Sequence, residues 1–118
     1  MILSIIIPVH NEEKTVIKVL NKLKENNPKL LEYEIIVIDD GSTDNSRKLL
    51  EDNKNLYSKL LINERNKGKG FSVKKGIENA SGKYIIFQDA DLEYDPSDFK
   101  KFEKVFINFD ADGIIGSR

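Results

Sequence analysis

Short apolar runs and segments of helical period alternate along the whole chain. The runs predict strands at 2–9, 33–39, 59–63, 84–89 and 113–117. Ile5-Ile6-Ile7, Ile35-Ile36-Val37-Ile38 and Ile85-Ile86 are nearly continuous rather than alternating, as in strands covered on both faces, and this predicts a parallel sheet. Between the runs lie helix signals. Asn11 can cap a helix in which Val16, Leu20 and Leu23 recur at spacings of four and three, with Glu12 and Glu13 near its positive end. Asp95, Pro96 and Asp98 read as N-cap, first-turn proline and acidic third residue of a helix with Phe99, Phe102, Phe106 and Phe109 on one stripe. Two less amphipathic helices, at about 45–53 and 70–79, complete a βαβαβαβαβ order.

That order predicts an α/β fold: an open, mainly parallel Rossmann-like sheet with helices on both faces. Ligands then belong at the carboxyl ends of the strands. The 118 residues make one domain, which on folding buries roughly 65% of the surface its unfolded form exposes. With 19 basic against 20 acidic residues there is no charge excess of the kind nucleic acid attracts. The longest apolar run is under half of a bilayer span, and no secretion signal opens the chain, so the expected location is cytoplasmic. Cysteine is absent and His10 is the single histidine. Disulfides, thiolate nucleophiles and Cys-ligated zinc are therefore excluded, and metal chemistry must use oxygen ligands.

The strand ends carry the candidate chemistry. Phe87-Gln88-Asp89-Ala90-Asp91-Leu92-Glu93 runs from an apolar strand into an acidic turn. Alternation in extended chain lets Asp89, Asp91 and Glu93 point together, while Ala90 leaves room for a close approach. Such a group suits a hard divalent cation, Mg2+ or Mn2+, with a solvated turn as the plain alternative. Asp39-Asp40-Gly41-Ser42-Thr43-Asp44 is a second acidic turn on the same edge, suited to a base N–H or ribose hydroxyl; capping alone accounts for Asp44. Pro8-Val9-His10-Asn11-Glu12 ends the first strand, and His10 could lie flat against a base or be a neutral surface residue. Asn66-Lys67-Gly68-Lys69-Gly70 suits a phosphate, or a plain helix start. Arg118 could neutralise a diphosphate or simply be solvated.

In order and spacing, these four blocks together resemble the family-2 glycosyltransferases of the GT-A fold, and the resemblance spans nearly the whole chain. Asp91-Leu92-Glu93-Tyr94-Asp95-Pro96 with the later Gly116-Ser117-Arg118 looks most like enzymes that load a sugar onto polyprenyl (dolichyl) phosphate. The resemblance implies that Pro8, His10, Asn11 and Glu12 line a nucleotide pocket and that Asp40 hydrogen-bonds the base, with Asp39 supporting its loop. It places Lys69 toward the phosphates between Gly68 and Gly70, Ala90 beside the donor, and Arg118 near the sugar-phosphate. Asp89 and Asp91 become the catalytic D-x-D pair and, with Glu93, the metal ligands. The implied partners are a GDP- or UDP-sugar and, for a full-length enzyme, a lipid-phosphate acceptor. A peripheral membrane location and homo-oligomerisation stay open.

Enzymes of this fold are generally about twice as long, so the chain is expected to be the donor-binding half. Two rivals stand beside transfer: a binding-only fragment, and a receiver-like phospho-acceptor domain, which also pairs a strand with an acidic doublet.

Overall fold

The computed structural model describes residues 3–25, 32–90 and the backbone of 107–108. Its strands are β1 (Leu3–Val9), β2 (Tyr33–Asp40), β3 (Lys59–Asn63), β4 (Tyr84–Phe87) and β5 (Ile107–Asn108). Helices α1 (Val16–Glu25), α2 (Ser46–Asp52) and α3 (Lys69–Glu78) connect the first four, and a 3-10 turn, Lys54–Leu56, leads into β3. The sheet order is β3-β2-β1-β4-β5, with the first four strands parallel and β5 antiparallel to β4.

This order explains the layers. The chain steps outward from β1 to β2 to β3, then returns across the sheet to β4. Crossovers of one hand must put the outward helices on one face and the returning helix on the other. The packing agrees. Leu3, Ile5, Ile7 and Val9 of β1, with Ile35 and Val37 of β2, meet Val16, Val19, Leu20 and Leu23 of α1 and Leu50 of α2. The alternate positions Ile6, Ile36, Ile38 and Ile85 pack with Ile77 of α3. Each such buried side chain contributes about 1.5–3 kcal/mol, so the near-continuous branched runs serve both layers. On the second face α3 lies close: a Cβ at Gly76 would come within 2.8 Å of Ile6 Cγ2. The order also sets aside the receiver reading, because such domains run 2-1-3-4-5.

Two elements differ from expectation. The helix expected from Asn11 begins at Val16, and Asn11 instead adopts a left-handed φ of 53°. Its side chain serves the loop after β2. The stretch assigned to the phenylalanine-striped helix contains β5, while the parallel strand expected at 113–117 and the four phenylalanines lie outside the described residues. A run as short as Phe106-Ile107-Asn108-Phe109 does not separate helix from strand by period, and pairing with β4 satisfies backbone groups on both.

At the amino-terminal edge a buried carboxylate ties three segments together. Glu34 Oε2 accepts from Ser4 Oγ and from Ser81 N, both at 2.6 Å, and Ser4 Oγ in turn accepts from Gly82 N at 2.8 Å. Lys59 Nζ stands 3.7 Å from Glu34 Oε1. Glu34→Ala leaves the buried Ser4 hydroxyl without its acceptor and is expected to destabilise the fold by about 1–3 kcal/mol. Urea unfolding monitored by circular dichroism measures this; a change below about 0.5 kcal/mol would show that the network is not structural.

Candidate functional site

The sheet opens where its direction of winding reverses. β1 pairs with β2 as far as Val9↔Asp39, but with β4 only as far as Ile6↔Phe87. Gln88 N donates to Ile6 O at 3.0 Å, and two residues on, the backbone of Pro8 faces the same side. Proline has no N–H to offer, so the ladder ends and the strands part. A cleft of about 370 Å³ occupies the gap. Pro8, Val9 and Ala90 give it apolar surface; His10, Glu12, Asp40, Asn66 and Gly68 add polar groups, and Lys69 and Asp89 an ion pair. Its volume lies within the range of small-molecule sites.

Asp40 organises one side of this cleft. Its Oδ1 accepts from Lys67 N at 2.7 Å and Asn63 Nδ2 at 2.9 Å, and its Oδ2 accepts from Gly68 N at 2.9 Å. Burial works to raise its pKa, but these bonds outweigh it and hold the carboxyl below the usual range. Gly41 lets the turn beside it form: its φ is 61°, and a Cβ there would lie 2.3 Å from Asn66 N. Asn66 Oδ1 accepts from Gly68 N at 3.0 Å, which turns its Nδ2 toward His10 Nε2 at 3.1 Å. An amide nitrogen only donates, so Nε2 accepts and the ring proton sits on Nδ1, which donates to Asp40 O at 2.7 Å. The lone histidine is thus held in one orientation and one tautomer.

The loops after β1 and β2 are laced by side chains. Asn11 Oδ1 accepts from Thr43 N at 2.7 Å, and Glu12 N donates to Ser46 Oγ at 2.8 Å. Asp44 accepts from Ser46 N at 2.8 Å and Glu13 N at 3.2 Å. Burial pushes Asp44 up, yet its bonds to Ser46 and Glu13 win and hold it below the usual range. Asp39 points to the α1 side of the sheet. Burial pushes its carboxyl above the usual range against hydrogen bonds from Ser42, and Oδ1 has no hydrogen-bond partner among the described residues.

Of the residues expected at the site, the cleft brings together Pro8, His10, Glu12, Asp40, Lys69, Asp89 and Ala90. Asn11 and Asp39 are not in its lining but stand behind the loops that form it. Asp91, Glu93 and Arg118 lie outside the described residues. Asn66 holds His10 across a separation of 56 residues, a role for which no local pattern exists. Among the described residues no three acidic or imidazole groups converge on one point. Asp89 nonetheless suits a hard cation, because its carboxylate borders the cleft and already holds the Lys69 ammonium at 2.8 Å.

The model of glycosyl transferase family 2 matches residues 4–118. The chain belongs to that family. It is 37% identical over 130 residues to the dolichyl-phosphate beta-glucosyltransferase of Dictyostelium discoideum, covering 98% of this chain and 39% of that one. Two solved structures share the fold. Staphylococcus aureus TarS (residues 1–349, with UDP) has a TM-score of 0.69 and 33% identity, over 77% of this chain and 28% of TarS. The mannosyltransferase PcManGT of Pyrobaculum calidifontis, with GDP-Man and Mn2+, has a TM-score of 0.65 and 26% identity, over 75% of this chain and 27% of that one. The open parallel α/β sheet is thus one shared with GT-A glycosyltransferases, and the chain spans 31% to 50% of the length of the curated relatives it matches.

Acid tests the Asp40 hub of this family-2 domain. The folded pKa values of Asp40 and Asp44 lie below the unfolded value, so the unfolded state binds more protons and stability is lost as the pH falls below about 4. Asp39, shifted upward, offsets part of this loss. In urea titrations between pH 7 and pH 3, Asp40→Asn is expected to be less stable at pH 7 and to lose less on acidification than wild type. An unchanged pH slope in Asp40→Asn contradicts the assignment.

Proposed function

We propose that the chain is a single domain that binds the nucleotide-diphospho-sugar donor of a glycosyltransferase acting on polyprenyl phosphate, together with Mg2+ or Mn2+. The observation that carries this reading is the make-up of the switch-point cleft: apolar surface and a fixed imidazole from the ends of β1 and β2, with the Lys69–Asp89 pair reaching in from α3 and β4. A base suits the former surface and a diphosphate the latter. Complexes of TarS with UDP and of PcManGT with GDP-Man and Mn2+ support the donor class, and the dolichyl-phosphate and undecaprenyl-phosphate transferases among the relatives support the acceptor class.

In this reading His10 and Pro8 meet the base, and Asp40 keeps the 66–68 loop in place beside it. Asp89, with Asp91 and Glu93 beyond the described residues, would hold the divalent cation. When bound, the ion stabilises negative charge developing on the diphosphate as the bond to the anomeric carbon breaks. Lys69 adds a positive charge at the same place. Arg118 would complete this set. A lipid phosphate carries its own oxyanion, so attack from the opposite face, with inversion, needs no side chain as base. Among the described residues no helix is long and apolar enough to cross a membrane.

Calorimetric titration of the chain with UDP and GDP, with and without Mn2+, is expected to show metal-dependent binding of one nucleotide. Asp89→Asn and Asp91→Asn should each remove about tenfold or more of the metal-dependent gain. Failure of both nucleotides to bind in the presence of Mn2+ rejects the donor site; wild-type metal dependence in both variants rejects the metal assignment. Radiolabelled sugar transfer to polyprenyl phosphate separates transfer from binding alone.

A further inference from the structure

The positive charge now beside Asp89 belongs to a side chain. Lys69 Nζ lies 2.8 Å from Asp89 Oδ1, and both residues border the cleft. The lysine is the first residue of α3, and the aspartate lies two residues beyond β4. Their meeting follows from the crossover that carries α3 over the sheet. Asp89 is 26% exposed and Lys69 67% exposed, so the pair is open to exchange with ions from solution. An ammonium on a flexible four-carbon stem can therefore move from one anion to another close by.

We propose that Lys69 is a place-holding counter-ion for Asp89. It neutralises the carboxylate before a divalent cation arrives, and passes to the donor diphosphate when that cation takes the carboxylate. The inference rests on the donor and metal reading above. It adds that cation and nucleotide are coupled through one side chain. A divalent ion arriving alone must displace Lys69 from Asp89. With nucleotide present, the displaced ammonium gains a dianionic partner, so each ligand favours the other, and the coupling is reciprocal.

Titration calorimetry on the whole chain tests this with Mn2+ alone, UDP or GDP alone, and both together. In Lys69→Met and Lys69→Gln, Mn2+ alone is expected to bind about two- to fivefold more tightly than to wild type, the range set by an exposed ion pair. The enhancement of nucleotide binding by Mn2+ should shrink. Lys74→Met removes the same charge from an exposed position on α3 outside the cleft, and should leave both quantities near wild type. Mn2+ affinity that is unchanged or weaker in both Lys69 variants overturns the proposal, as does an equal gain in Lys74→Met. If wild type itself shows no Mn2+-dependent nucleotide binding, the donor-site reading fails, and this inference fails with it.

Discussion

The parting of β1 from β4 after Ile6 is the constraint on which the site depends. A parallel ladder continues only while each strand offers N–H and C=O groups to the other, and Pro8 offers no N–H where β4 would next require one. The outer pair has no such break, and β1 stays joined to β2 as far as Asp39. The result is a cleft between two central strands, which keeps its residues on a rigid base. Because the chain reverses its winding at this point, α1 and α3 lie on opposite faces, and groups from both sides of the sheet reach the same opening.

Beyond the strand ends, side chains take over the work of the ladder. Asp40 holds the 66–68 loop by two backbone N–H groups, and Asn11 holds the 43–44 turn by two more. Charge-assisted bonds of this kind are worth about twice neutral ones, so a buried carboxylate can position a loop that no helix or strand reaches. The same bonds orient Asn66, and through it His10. A substitution at Asp40 would therefore be felt at an imidazole that Asp40 touches only through its own backbone carbonyl. Satisfied buried networks are rigid in this way, and costly when partly broken.

The distribution of charge in the cleft follows from the same geometry. Asp89 continues the alternation of Ile85 and Phe87 and so lies on the α3 side of the sheet, within reach of the first residue of that helix. A carboxylate and an ammonium drawn from opposite ends of a crossover meet at the border of the cleft. Either can be redirected by a ligand because neither is deeply buried.

Local pattern was enough to specify the four parallel strands, the three helices between them and the carboxyl edge as the place to look. The reason is that burial on two faces selects continuous branched runs, and helical burial selects a period near 3.6. The string of blocks from Pro8 to Asp89 likewise placed the family from one dimension. Other features depend on neighbours distant in the chain. The left-handed turn at Asn11, the delayed start of α1, the pairing of Ile107–Asn108 with β4 and the grip of Asn66 on His10 each arise from a partner 22 or more positions away. No window of sequence contains both members of such a pair. Only packing one layer against another determines whether a polar side chain lines the cleft, as Asp40 does, or stands behind it, as Asp39 does.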